Sequence, residues 1–326
     1  MLEIIEPSLL TTIQDAGRRG WQAFGVPVSG PMDAYAHRAA NLLVGNPPET
    51  AAIEIGITSA ILYAHTDCLV AVTGCGYRLW VGKWQLPLWI SVYVRAGSMI
   101  SIEKTGDGNW ATLAVHGGIQ TQPVLGSRAT TLRATLTGKQ QPAQPLQAGE
   151  LLPIGRTSAF LPGLAARKLP TPLIKYSAAT TLRVIPGPQQ DAFTAAALST
   201  FYSATYSISS TSDRTGYRLI GPTLERATNT EMISEGMSRG CIQVPTDGQP
   251  IIMQADCPTA GGYPKIGSVI AADQPLLAQA PISSGKIRFM ATSVEAAQTS
   301  YREMIRSLET QIQQAQPEDD YLWAGF

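Results

Sequence analysis

Charge is scarce in this chain of 326 residues, where Asp, Glu, Lys and Arg together make up 15%. Lys plus Arg equals Asp plus Glu at 24 each, so the formal net charge is zero. No long basic run stands out, which argues against nucleic acid or an anionic membrane as partners. No apolar run approaches the roughly eighteen residues of a membrane span. The opening Met1-Leu2-Glu3-Ile4-Ile5-Glu6 carries two acids and no basic n-region, so a cytoplasmic location is expected. The four cysteines (Cys68, Cys75, Cys241, Cys257) form no CxxC pair, and only His37, His65 and His116 could join them. Neither a disulfide framework nor a zinc site is expected, and no metal site of another kind. Cys257 lies in a polar loop, where an inert thiol is favoured over a reactive one. Phosphate-binding motifs are missing too. There is no G-x-x-x-x-G-K-[ST] stretch, and Gly74-Cys75-Gly76 lacks the third glycine and the following helix of a dinucleotide fingerprint.

What the chain has is 30 glycines, 23 prolines and 44% hydrophobic residues, a mixture that fits many short strands joined by tight turns. The fold class expected is mainly β, with a few short helices. The length implies two domains: residues 1–156, a linker over 157–181 marked by Pro162, Pro170 and Pro172, and residues 182–326 ending in a helix from Ser293. Strands are expected at Ala60–Ala64, Cys68–Thr73, Tyr77–Val81, Trp89–Val94, Met99–Glu103, Trp110–His116, Leu182–Ile185, Tyr206–Ser209, Ile242–Val244, Ile251–Met253 and Lys286–Met290. Asp33 is expected to cap a helix through Val44 that Gly45 ends, with His37 and Arg38 on a solvated face. A short helix is expected over Gln189–Ser199.

Polar chemistry concentrates in a few loops. Between Thr11 and Asp33, glycines and prolines exclude regular structure through most of a segment that carries Asp15, Arg18, Arg19, Ser29, Gly30 and Asp33. Long ordered loops are more often functional than short ones. The guanidiniums either clamp a carboxylate or phosphate, or pair with Asp15 or Asp33. Asp256-Cys257-Pro258-Thr259-Ala260-Gly261-Gly262-Tyr263-Pro264-Lys265 gathers a carboxylate, a hydroxyl, two glycines, a phenol and an ammonium. Either the glycines take positive φ and aim their N–H groups at an anion, or this is a turn in which Asp256 caps its own backbone. Ser212-Asp213-Arg214-Thr215-Gly216 faintly echoes Asp15-Ala16-Gly17-Arg18, which points to two similar domains. His116, beside Gly117 and Gly118, reads as a satisfied structural histidine.

Taken in order, TTIQDAGRRG, GVPVSGPMD, ANLLVGN, GCGYRLW, LGSRATT, GPQQD, SDRTGYRL, GCIQVPTDGQP and GGYPKIGSVI resemble the KipA/allophanate hydrolase subunit 2 family. That family includes the C-type subunit of bacterial ATP-dependent 5-oxoprolinase and the carboxyltransferase part of urea carboxylase. The resemblance implies two cyclophilin-like β-barrel domains. It also implies a B-type (KipI-like) partner and a lactam-utilisation A-type subunit, with ATP and Mg shared with or bound by a partner, and 5-oxoproline opened to glutamate. The site residues it implies are Asp15, Arg18, Asp33, Asp213, Arg214, Asp256, Tyr263 and Lys265, with Ser29, Gly30, Thr259, Gly261 and Gly262 binding substrate. The two loops would then line one cleft. The alternatives on the same scaffold are a biotin-dependent carboxyltransferase, which would need a separate carrier because no Met-Lys-Met attachment segment occurs here, and a regulator that binds a KipI-like sensor-kinase inhibitor. Where the family has Gln-Thr-Thr before Gly-Gly-Tyr-Pro, this chain has Cys257-Pro258-Thr259-Ala260, a departure that bears on substrate choice more than on fold.

Overall fold

The computed structural model describes residues 1–132, 144–170, 172–227 and 232–313. It divides into two units. The first takes in residues up to Arg18, Ser29–Leu173 and Arg306 onward; the second takes in Arg19–Val28 and Ile174–Ile305. The segment read as a linker is therefore split: Ser91 Oγ donates to the carbonyl of Leu164 at 2.9 Å and accepts the Arg167 N–H at 3.0 Å, which anchors that part to the first unit. Thr171, in the same stretch, lies outside the described residues.

The first unit is built from two antiparallel sheets. One has the spatial order Leu151–Leu152, Leu2–Glu6, Ala60–Ala64, Met99–Lys104, Tyr77–Val81, Trp84–Leu86. The other runs Leu10–Gln14, Ala52–Gly56, Trp110–Val115, Cys68–Gly74, Ser91–Val94. Thr11 to Gln14, read as part of an irregular loop, belong to the strand Leu10–Gln14, which pairs antiparallel with Ala52–Gly56 along its whole length. Strand side chains alternate between faces, so Ile13, Ile53, Ile55, Val70, Val72, Val92 and Leu113 enter a single core shared with Leu2, Ile4, Leu62, Leu79, Ile100 and Ile102 of the other sheet. The strand expected from Trp89 begins at Ser91, since Trp89 takes φ +63, outside the extended region.

The opposite face of the five-stranded sheet is covered as well. The helix Ala34–Leu43 packs on Trp110–Val115 and Cys68–Gly74. That second cover explains why all seven residues of Cys68–Gly74 are buried. Asp33 is the N-cap, its Oδ1 accepting the Ala36 N–H at 2.9 Å, and Gly45 with φ +78 follows the C-cap Val44. His37, expected on a solvated face, is only 2% exposed. Its surroundings are polar: Asn41 Nδ2 lies 3.2 Å from His37 Nε2 and donates to the Thr50 carbonyl at 2.9 Å.

The second unit contains a closed seven-stranded barrel: Ala179–Pro186, Lys265–Val269, Cys241–Gln243, Ile251–Met253, Gly216–Ile220, Tyr206–Ile208, Lys286–Ala291. Parallel pairing of Ala179–Val184 with Lys286–Ala291 closes the ring and removes its edges. The helix expected at Gln189–Ser199 is displaced. A 3₁₀ turn, Gln190–Ala192, precedes a helix at Ala195–Ser203 capped by Thr194, whose Oγ1 accepts the Ala197 N–H at 3.1 Å. A separate two-stranded sheet joins Glu235–Gly236 to Ala260–Gly261. The last helix, Val294–Gln311, buries Ala297, Met304 and Leu308, whereas Tyr301 on the expected stripe is exposed. Among the described residues no helix is long and apolar enough to cross a membrane.

Candidate functional site

In the first unit, register places a buried polar row on the helix-covered face of the five-stranded sheet. Thr12 stands opposite Glu54, Glu54 opposite Thr112, and Thr112 opposite Thr73. None of the four exceeds 2% exposure. Glu54 Oε2 accepts the Met32 N–H at 2.6 Å, and Thr73 Oγ1 donates to the Ala36 carbonyl at 2.7 Å, so the row holds the loop before the helix and the helix itself.

Asp15 sits where the strand Leu10–Gln14 ends. Its Oδ1 accepts the Gly17 N–H at 2.9 Å and the Ser127 hydroxyl at 2.5 Å, and its Oδ2 accepts the Arg128 N–H at 2.6 Å. A carboxylate so occupied is an organiser rather than an open base. Arg18 is 2% exposed, and its Nη2 donates to the Ala129 carbonyl at 2.5 Å. Arg19 is exposed. Asp33 is engaged as the helix cap.

Around Asp15 the backbone is forced. Gly30 has φ +95, and a Cβ there would stand 3.2 Å from the Asp15 carbonyl oxygen, so only glycine fits without a shift. Ser29 holds φ +60 although it carries a side chain, a conformation that persists where its surroundings over-determine it. Four buried polar atoms here find no hydrogen-bond partner among the described residues: Gln14 Oε1, Ser29 Oγ, His37 Nδ1 and Thr131 Oγ1. Buried polar atoms are nearly always paired, so each of these four has hydrogen-bonding capacity left over by the described residues. Burial pushes the His37 imidazole down to about 4, with Asp15 opposing the shift. The ring is therefore neutral near pH 7, suited to hydrogen bonding and poor as a proton acceptor. An acceptor oxygen, two hydroxyls and a neutral imidazole can hold an uncharged group that carries both a donor and an acceptor.

In the second unit, Asp213 and Arg214 separate in role. Asp213 Oδ1 accepts the N–H groups of Thr215 at 2.7 Å and Gly216 at 3.2 Å, a local turn and not a reacting carboxylate. Arg214 is buried against Asp256, with Nε to Oδ2 at 2.9 Å. Asp256 therefore does not cap its own backbone, and its charge is met by a guanidinium forty-two residues earlier. The echo between the two halves has a physical counterpart: Asp15 and Asp213 each close a turn onto a glycine N–H, and Arg18 and Arg214 are each 2% exposed.

Neither Gly261 nor Gly262 takes positive φ. Gly261 is extended, paired with Glu235, and a Cβ on it would meet Gln243 Nε2 at 2.6 Å and Met237 Sδ at 2.7 Å. The requirement is close packing, which corrects the expected nest of amides. Thr259 contributes its carbonyl to the Met237 N–H at 2.9 Å. Tyr263 is 44% exposed, with the Arg226 guanidinium 5.9 Å from its ring centroid. Lys265 is a buried strand residue whose Nζ lies 2.6 Å from Glu235 Oε2, and the hydrogen bond from Lys265 holds the Glu235 carboxyl below the usual range. Burial pushes the Cys257 thiol up to about 11, which makes it inert at neutral pH.

Glu54, Glu235 and Arg226 went unnoticed in the sequence. Alternation along the strand Ala52–Gly56 puts Glu54 on the face opposite Ile53 and Ile55, but nothing local reveals that this face is covered.

Known proteins place the chain. Residues 24–291 match the family model for the carboxyltransferase domain, subdomains A and B. The C-type subunit of 5-oxoprolinase from Escherichia coli is 35% identical over 316 residues, which cover 95% of this chain and 97% of that protein. Urea amidolyase of Saccharomyces cerevisiae is 32% identical over 80% of this chain but only 15% of its own length. The crystal structure of K. lactis urea amidolyase superposes with a TM-score of 0.87 at 26% identity, covering 100% of this chain and 21% of that one. A match across most of the chain to the family model, together with a relative of the same length, shows that this protein belongs to the carboxyltransferase-domain family, subdomains A and B.

Proposed function

We propose that the chain is the C-type subunit of an ATP-dependent 5-oxoprolinase. It would act with a B-type and an A-type subunit to activate 5-oxoproline for hydrolysis to glutamate. The observation that supports this reading is the end-to-end match to the C-type subunit of a 5-oxoprolinase, which leaves almost no length of either chain over. On this reading Gln14, Ser29 and His37 in the first unit and Tyr263 and Lys265 in the second face ligands. Asp15, Arg18, Asp33, Asp213, Arg214 and Asp256 are positioning residues, since each is engaged within its own unit.

The residues present do not by themselves fit Mg·ATP. Among the described residues no three His, Cys, Asp or Glu side chains gather as metal ligands, and the carboxylate oxygens of Asp15 and Asp256 are engaged by internal donors. On this reading ATP and Mg are shared with or bound by a partner subunit.

Purified chain with 5-oxoproline and ATP is expected to release negligible ADP, and turnover is expected only when both partners are added. Strong turnover by the chain alone would sink the reading. A second reading, a carboxyltransferase acting on urea or a similar amide, is favoured by the family model and by the yeast relative. It requires a biotinylated carrier, so activity that avidin blocks would select it.

A further inference from the structure

We propose that the strand end around Lys265 is a binding site for a small oxyanion, a carboxylate above all, held closed by Glu235 as an internal substitute for the ligand's charge.

The pair is lopsided. The Lys265 side chain is 9% exposed and belongs to the closed barrel, whereas the Glu235 side chain is 50% exposed and belongs to the two-stranded sheet with Ala260–Gly261. A buried ammonium requires a counter-charge, because its desolvation is costly when it stands alone. The barrel fixes the cation, and a short appendage supplies the anion. Glu235 Oε2 receives two donors, Lys265 Nζ at 2.6 Å and Gln189 Nε2 at 3.0 Å, while Gln189 Oε1 takes the Lys265 N–H at 3.1 Å. An incoming oxyanion would inherit both donors without any movement of the barrel.

Arg226 supplies a second, independent observation. Its Nη2 donates to the Val244 carbonyl at 2.6 Å, and the Val244 N–H donates to the Pro264 carbonyl at 3.1 Å, which places the guanidinium beside the same strand end. Its Nε is buried and finds no partner among the described residues. A second cation, carrying an N–H without a partner among the described residues, thus stands at the strand end where Lys265 is paired with a half-exposed carboxylate.

The inference rests on reading this strand end as part of the ligand site, and not on the identity of the reaction. The test titrates the full chain with acetate, inorganic phosphate, 5-oxoproline and the uncharged lactam 2-pyrrolidinone, followed by calorimetry and thermal shift. Removing an internal competitor raises apparent affinity by the reciprocal of the fraction of sites it had left open, so with about one fifth open Glu235→Gln is expected to bind at least one of the three anions about fivefold more tightly than the unaltered chain. Its response to 2-pyrrolidinone is expected to be unchanged, and Lys265→Met to abolish the anion response. The proposal is overturned if Glu235→Gln binds no anion more tightly, if the gain extends equally to the neutral lactam, or if it survives Lys265→Met. Should the glutamine variant fold poorly, Glu235→Ser and the side-chain amine resonance of Lys265 in the unaltered chain, followed during the same titrations, decide the matter. Tighter binding of acetate or phosphate without 5-oxoproline supports the site and counts against the reaction proposed above.

Discussion

Arg214 and Asp256 meet through two hydrogen bonds, Nε to Oδ2 at 2.9 Å and Nη2 to Oδ1 at 3.3 Å, with exposures of 2% and 1%. Breaking a pair this deep leaves the survivor as an uncompensated buried charge, which costs about 3–5 kcal/mol. Asp256→Ala should therefore lower the melting temperature of the chain markedly. Joint replacement by Arg214→Met and Asp256→Leu should recover much of that loss, because both charges then go. A double variant less stable than Asp256→Ala would show that the pair does more than cancel its own desolvation.

His37 makes stability depend on acidity in a calculable direction. Its folded pKa lies near 4 against an ordinary value of 6.5. Between those values the unfolded imidazole binds a proton that the buried one refuses, so stability falls as pH drops through that window. The full effect is on the order of 3 kcal/mol. Urea midpoints near pH 7 and near pH 4.5 should differ more for the unaltered chain than for His37→Gln. Equal differences would show that this imidazole is not linked to folding.

Ser29 stores backbone strain beside an idle hydroxyl. Glycine tolerates φ +60 without the Cβ penalty, so Ser29→Gly should stabilise the chain by about 0.5–1 kcal/mol. If Ser29 faces the ligand, the same variant should lower activity of the assembled complex. A stabilised variant with full activity would remove Ser29 from the site.

Lys265→Ala should lower kcat/KM of the assembled complex about a hundredfold, as the loss of one preorganised charge contact usually does. Its fold should survive, since the abandoned Glu235 is half exposed and returns to water. Assays at equal folded concentration separate this from a structural lysine, whose removal would leave turnover intact.

How far the sequence reached depends on the range of the forces involved. The cap at Asp33, the glycine stop at Gly45 and the hairpin strands Cys241–Gln243 and Ile251–Met253 were legible because each is set by neighbours a few residues away. The two turn-closing aspartates were legible as polar loop residues for the same reason, although their internal hydrogen bonds were not. By itself the sequence determined a mainly β chain, with polar chemistry confined to a few loops and a family resemblance spread along its length. Tertiary structure decided the rest. His37 looked like a solvated residue until polar packing enclosed its helix, and Glu54 became central only when strand register lined it up with Thr12, Thr112 and Thr73. Arg214 found Asp256, and Lys265 found Glu235, across forty-two and thirty residues. Charges separated that far in the chain are brought together by the tertiary fold and not by their neighbours in sequence, so no local pattern could announce them.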